Sequence, residues 1–325
     1  MKAIVCEKFG PPSDLVLREF PSPVPGPKDV LIEVRACSVN FPDTLIIQGK
    51  YQYKPELPFT PGNDIAGVVK AVGAQVTHLS VGQEVFGFVM RGGFAEEVVA
   101  PAKNIFPKPP KMDFTTAASF MMAYSTSYHA LVDRARLQAG ETLVVLGAAG
   151  GVGLAAVELG KQLGARVIAA ASTAEKLDLC KQYGADELLN YSEENLKQRI
   201  KELTDGRGAQ VVYDPVGGAY SEAALRATAW AGRYLVVGFA AGTIPQIPLN
   251  LPLLKGCALV GVFWGSFAQQ FPRQNIANTQ QLLAWFAEGK LRPHLHATYP
   301  LAQTAQAIEA IIKREVRGKV VVVNE

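Results

Sequence analysis

Cysteine is scarce in this chain. Cys6, Cys37, Cys180 and Cys257 are widely separated and make no C-x-x-C pair, which excludes a disulfide framework and a structural zinc lobe. Histidine is equally rare: His78, His129, His294 and His296 form no tight cluster, and His294/His296 read as solvated loop residues rather than metal ligands. An excess of one charge is missing too. The net charge is only +3, with Lys and Arg scattered and no basic run, so nucleic acid is not an expected partner. No stretch approaches the roughly 20 apolar residues of a membrane span. The opening, MKAIVCEKFG, carries no apolar core or cleavage site of a signal peptide. A cytoplasmic protein with no membrane partner is expected.

What is present is a chain of 325 residues, 49% of them hydrophobic, enough for two cores. Through residue 122 the pattern reads as β. In DVLIEVRA, Val30, Ile32, Val34 and Ala36 alternate with Leu31, Glu33 and Arg35. DIAGVVKAVG, EVFGFV and FAEEVVA are further short strands between Pro- and Gly-rich turns. This predicts an irregular, barrel-like β domain. From Ala123 strands alternate with helices of about a dozen residues, the signature of a parallel sheet covered on both faces. The expected class is α/β, a doubly wound parallel dinucleotide-binding sheet beside a mostly β domain. The expected division is 1–122, to which 265–325 returns, and 123–264.

The junction VVLGAAGGVGL places four glycines within Gly147–Gly153, after an apolar strand and before a helix. A tight turn that aims free helix N–H groups at an anion explains them; a ligand-free glycine turn is the plainer alternative. NAD-binding folds end their second strand on Asp or Glu to grip the ribose hydroxyls. Here that strand ends IAAAS, with Ala171 or Ser172 in the place. Ser172 and Glu175 also fit a capping box, in which case both would only cap a helix.

SVNFPDTLIIQGKY, PFTPGNDIAGVVKAVG, GAAGGVGLAAVELGKQLGARVIAA and VVYDPVGG together resemble the medium-chain dehydrogenase/reductase superfamily, and within it the zinc-free, zeta-crystallin-like quinone oxidoreductases. The resemblance covers essentially the whole chain. It implies a GroES-like catalytic domain and NADPH as cofactor, NADH being the alternative. Alcohol dehydrogenases of the superfamily hold catalytic zinc with a Cys near the position of Asn40 and a Gly-His-Glu near Gly62-Asn63-Asp64. Carboxamides are poor zinc ligands, so no metal is expected, and without a Lewis acid alcohol oxidation is disfavoured.

Carried over by position, Ser172, Lys176 and Tyr191 surround the extra phosphate of NADPH. Gly150, Gly151 and Val152 bind the pyrophosphate. Asn40 and Thr126 lie near the nicotinamide ribose, Gly238 and Phe239 at the carboxyl edge. Phe263, Trp264 and Gly265 flank the nicotinamide, although the aromatic pair fits ordinary core equally well. Arg317 serves a phosphate or is simply solvated. The implied reaction is hydride transfer to a quinone or an α,β-unsaturated carbonyl. Asn40 and Tyr51 are the expected catalytic side chains, with Tyr53 and Tyr124 behind them. A second family tyrosine is Leu45 here, which leaves the proton donor open between a side chain and water. Alternatives are an enoyl-thioester or haloacrylate-type ene reductase and a non-catalytic, crystallin-like NADPH binder. A homodimer is expected through CALVGVFW at the sheet edge.

Overall fold

Two sheets organise the chain, each with its own core. The computed structural model describes residues 1–324, which divide into two compact units, 1–122 with 293–324 and 123–292.

In the first unit the strand Asp29–Val39 is the hub of a seven-stranded sheet. Val30, Ile32, Val34 and Ala36 are all buried on one face, as period-two alternation demands. The strand pairs antiparallel with Asp64–Val72, Glu97–Pro101 and Lys319–Val323. Register shifts against Asp64–Val72 bend the pair. Glu84–Phe88 and Ile105–Pro107 continue the sheet on one side, and Leu295–Pro300 closes the other beside Lys319–Val323. The C-terminal strand is thus a full member of this sheet, with Val320 opposite Val39. Two short helices complete the unit: Phe41–Ile46 follows the hub strand, and Thr304–Ile312 lies within the returning tail.

The second unit carries a six-stranded parallel sheet. In spatial order its strands are Glu187–Asn190, Arg166–Ala171, Thr142–Leu146, Ala209–Asp214, Thr228–Val236 and Ala258–Gly261. The first strand in sequence therefore sits centrally and the order reverses beside it, which is the doubly wound arrangement. Its Leu143, Val144, Val145 and Leu146 are fully buried, as a strand covered on both faces requires. The helix Gly151–Gln162 follows, and Gly164, at φ +78°, ends it in the left-handed conformation.

The tail rejoins the first unit later than expected. Residues 265–292 belong to the second unit. Trp264 Nε1 donates to Asn275 Oδ1 at 2.9 Å, while Gln274 and Asn278 donate to the Asp133 carboxylate. These bonds hold the helix Pro272–Ala287 to its own unit, and apolar periodicity alone does not reveal such partners. Among the described residues no helix is long and apolar enough to cross a membrane.

Candidate functional site

The glycine turn lies at the carboxyl end of the central strand. Gly147 has φ +57°, and a Cβ there would meet Val216 Cγ2 at 2.7 Å. A Cβ on Gly153 would come within 2.2 Å of the Gly147 carbonyl oxygen, so the helix can approach the strand this closely only with glycine. Gly150 is the N-cap and offers no side chain to the first turn. A Cβ on it would meet nothing nearer than 3.4 Å. The leading N–H groups, those of Gly151 and Val152 among them, form the positive end of a 12-residue helix at an open edge. That geometry fits a pyrophosphate. Ser127, which the sequence did not single out, donates to the Val152 carbonyl at 2.8 Å and lies 2.9 Å from the Tyr213 hydroxyl. It ties the helix Phe114–Tyr128, and with it Thr126, to this turn.

One strand away, the alternative reading of Ser172 and Glu175 as a capping box is excluded. The N-cap of the helix Ala174–Gln182 is Thr173, whose hydroxyl accepts from the Lys176 N–H at 3.4 Å. The strand runs through Ala171, so Ser172 falls one residue too early to cap, and Glu175 becomes the second helical residue. Ser172 Oγ instead accepts from Lys176 Nζ at 3.5 Å. The Tyr191 N–H donates to the Ala171 carbonyl at 3.1 Å, which brings Tyr191 to the same corner. Its ring lies 4.5 Å from that of Tyr220, a neighbour the sequence reading missed. No carboxylate closes the strand; a hydroxyl and an ammonium meet there, beside the Tyr191 backbone.

Across the switch point, Asp214 ends the fourth strand, and its buried carboxylate accepts four hydrogen bonds. The donors are the N–H groups of Val216 and Gly217, each at 2.8 Å, the Ser221 hydroxyl at 2.8 Å, and the Tyr234 hydroxyl. The pinned loop in turn accepts from the next one: Pro215 and Val216 carbonyls take the N–H groups of Ala240 and Ala241. Gly238 and Phe239 are positioned in this way, with the Phe239 ring filling the space a Cβ on Gly217 would need. The aromatic pair divides. Trp264 is buried and bonded to Asn275, an ordinary core residue, whereas Phe263 is half exposed and Gly265 follows beside its ring. Tyr124 is removed from the acceptor candidates. It is buried, and its hydroxyl donates to Glu158 at 2.5 Å.

In the first unit, Asn40 caps Phe41–Ile46 within a buried polar cluster. Its N–H donates to Asp43 Oδ2 at 2.7 Å, and its Nδ2 donates to Asn63 Oδ1 at 3.2 Å and Ser38 Oγ at 3.3 Å. Its Oδ1 accepts from Lys319 Nζ. An ammonium only donates, so the orientation of this carboxamide follows from chemistry. Asp64 Oδ2 accepts from Ser38 Oγ at 3.3 Å and the Met122 N–H at 3.2 Å. Burial raises Asp43 and Asp64 to about 7 each. Tyr51 is partly buried against the core of this unit, and burial and then the Asp43 charge raise its phenol. Tyr53 is partly buried and Leu45 sits on the short helix. Arg317 is exposed, and its charge helps hold His294 and His296 below the ordinary imidazole value, behind the effect of burial.

Comparison with known proteins places this geometry. Residues 26–110 match the alcohol dehydrogenase GroES-like domain and residues 151–285 the zinc-binding dehydrogenase family. A quinone oxidoreductase-like protein 2 homolog of Nematostella vectensis is 41% identical over 99% of this chain and 88% of its own length. The human quinone oxidoreductase is 35% identical over 96% of this chain and 94% of its own. The Escherichia coli quinone oxidoreductase, solved in complex with NADPH, superposes with a TM-score of 0.94 at 27% identity and full coverage of both chains. The chain belongs to the quinone oxidoreductase branch of the medium-chain dehydrogenase/reductase superfamily. It is an enzyme of the oxidoreductase class.

One family name implies zinc, and the residues do not fit it. At the ligand positions Asn40 Oδ1 is bonded to an ammonium and Asn63 Oδ1 to an amide, and a divalent cation beside that ammonium would be repelled. His78 Nε2 pairs with the Ala102 carbonyl and His129 with Asp133. Among the described residues no group of three or more His, Cys, Asp or Glu could hold a metal ion.

Proposed function

We propose that this enzyme takes NADPH and delivers its hydride to a quinone or an α,β-unsaturated carbonyl without zinc. One observation carries the cofactor reading: the Lys176 ammonium meets the Ser172 hydroxyl at the strand end where an NAD-selective fold needs a carboxylate, with the Tyr191 backbone bonded to the same strand. On this reading the Gly151 and Val152 N–H groups bind the pyrophosphate, while that of Gly150, expected to join them, donates to the Gly147 carbonyl at 3.0 Å and closes the turn; the Ser172 corner binds the extra phosphate. Thr126, Gly238, Phe239, Phe263 and Gly265 serve the nicotinamide half, while Trp264 is core, bonded to Asn275. Arg317 stays a surface residue.

Bound NADPH supplies the hydride. The protein's work is to orient the acceptor, exclude water and stabilise the developing oxyanion. We assign Tyr51 to the acceptor because it keeps a hydroxyl uncommitted to the polar cluster. Asn40 is given a supporting part, since its carboxamide is held on both sides within the buried cluster. The working assembly on this reading is a homodimer. NADPH consumption with a panel of quinones, enones and enoyl thioesters tests the proposal. Turnover fastest with quinones or simple enones is expected. Exclusive turnover of thioesters favours the ene-reductase alternative, and NADPH binding without turnover sinks the enzymatic reading of this site.

A further inference from the structure

The carboxylate of Asp214 is fully occupied inside the second unit. It is only 3% exposed. Its Oδ1 accepts the N–H groups of Val216 and Gly217, and its Oδ2 accepts the hydroxyls of Ser221 and Tyr234. A carboxylate offers about four lone-pair sites, so none is left for a ligand. All four donors are neutral. Burying an acid among neutral donors costs stability, and what the fold gains there is geometry.

That geometry is the carboxyl edge of the parallel sheet. The two N–H donors curl residues 215–217 back over the strand end. The Asp214 carbonyl accepts the Val237 N–H at 3.0 Å and the Gly238 N–H at 3.3 Å. The Pro215 and Val216 carbonyls then take the Ala240 and Ala241 N–H groups at 3.1 and 2.7 Å. Gly217 and Gly218, at φ +70° and +63°, permit this close approach; a Cβ on Gly218 would meet that of Ala241 at 2.8 Å. Residues 237–241 are thus held at one end by Asp214 and at the other by the loop it shapes. The Tyr234 hydroxyl ties in the strand Thr228–Val236, which leads into them.

We propose that Asp214 is a positioning residue for the nicotinamide half of the cofactor, acting through Gly238 and Phe239 and not on the cofactor itself. The inference rests on the reading in which those two residues serve the nicotinamide. It divides the edge into two parts. The Ser172 corner and the turn before Gly151–Gln162 grip the phosphates, and the loops pinned by Asp214 align the ring.

Calorimetric titration of the full chain with NADPH and with 2′-phosphoadenosine diphosphoribose, which lacks the nicotinamide, tests this beside steady-state turnover. Asp214→Asn keeps an oxygen for the loop N–H groups but faces the two hydroxyls with a donor in place of an acceptor. It should weaken NADPH roughly tenfold, lower kcat, and leave the nicotinamide-free ligand unchanged. Tyr234→Phe removes a single donor and should shift NADPH the same way by roughly threefold; it carries the test if the first variant does not accumulate. Phe239→Ala checks the underlying reading and should also weaken NADPH alone. If Phe239→Ala shows that selective loss and neither Asp214→Asn nor Tyr234→Phe does, the proposal is overturned and the cofactor reading stands. If Phe239→Ala weakens both ligands alike or neither, the nicotinamide reading of this loop falls, and the proposal with it. A purely structural Asp214 would lower Tm and weaken both ligands equally, which also overturns the proposal.

Discussion

At the scale of single residues, cofactor choice turns on whether Lys176 faces a phosphate. A partly exposed, charge-assisted contact of this kind contributes roughly 1.5–3 kcal/mol. Lys176→Ala is expected to weaken NADPH roughly ten- to a hundredfold and leave NADH nearly unchanged. Ser172→Asp is expected to reverse the preference, adding repulsion to one cofactor and a ribose acceptor for the other. The structure strengthens this second test, because Thr173 does the capping and Ser172 can be changed without uncapping the helix. Fluorescence titration of both variants with both nucleotides decides it; equal losses for the two cofactors would place the phosphate elsewhere. The absence of Asp or Glu at the strand end was legible from IAAAS alone. Which hydroxyl capped the helix was not, since Ser172 and Thr173 are adjacent and only the backbone path separates them.

At the scale of elements, the strand Ala258–Gly261 is the exposed edge of the parallel sheet. Leu259 on it, Leu253 and Leu254 on the preceding helix Asn250–Lys255, and Trp230 nearby are all exposed. No charged side chain interrupts the strand itself. An uncharged edge flanked by apolar side chains is a template for pairing with a second copy. Leu259→Glu should convert the proposed dimer to a monomer, read as a halved mass by light scattering at micromolar concentration, with the monomer still folded. A wild-type mass of one chain would end the proposal at once. The edge position of this strand followed from the βα alternation, because the last strand of such a sheet has one neighbour. The exposure of Trp230 did not, since its strand is irregular there, with Ala231 at φ +57°.

For the whole molecule, buried acids set the pH response. Burial raises Asp43, Asp64 and Glu158 to about 7, above their unfolded values near 4. Between those values the native state holds more protons than the unfolded chain, so stability falls as pH rises from about 4 to 7. His294 and His296 are shifted downward and push the other way, but they are partly exposed and screened. Glu97 and Glu141 are held low by Lys70 and Arg233, and their contribution is lost in stronger acid. Tm should therefore be higher near pH 5.5 than at pH 8. A melting temperature that climbs steadily through neutrality would mean these carboxyls are ionised in the folded state.

The sequence by itself determined the two folds and the kind of ligand edge. Glycine spacing, alternation and helix length are local properties, and each states its geometry within a dozen residues. The parallel sheet, the glycine turn before Gly151–Gln162 and the missing acid at Ser172 were all legible for that reason. What only the tertiary structure decided concerns residues far apart in the chain. Asn40 meets Lys319 across 279 positions, Gln274 and Asn278 hold residues 265–292 to the second unit through Asp133, and Glu158 takes the hydroxyl of Tyr124. A buried polar group must find its partner wherever the fold supplies one, and no local pattern records which residue that is.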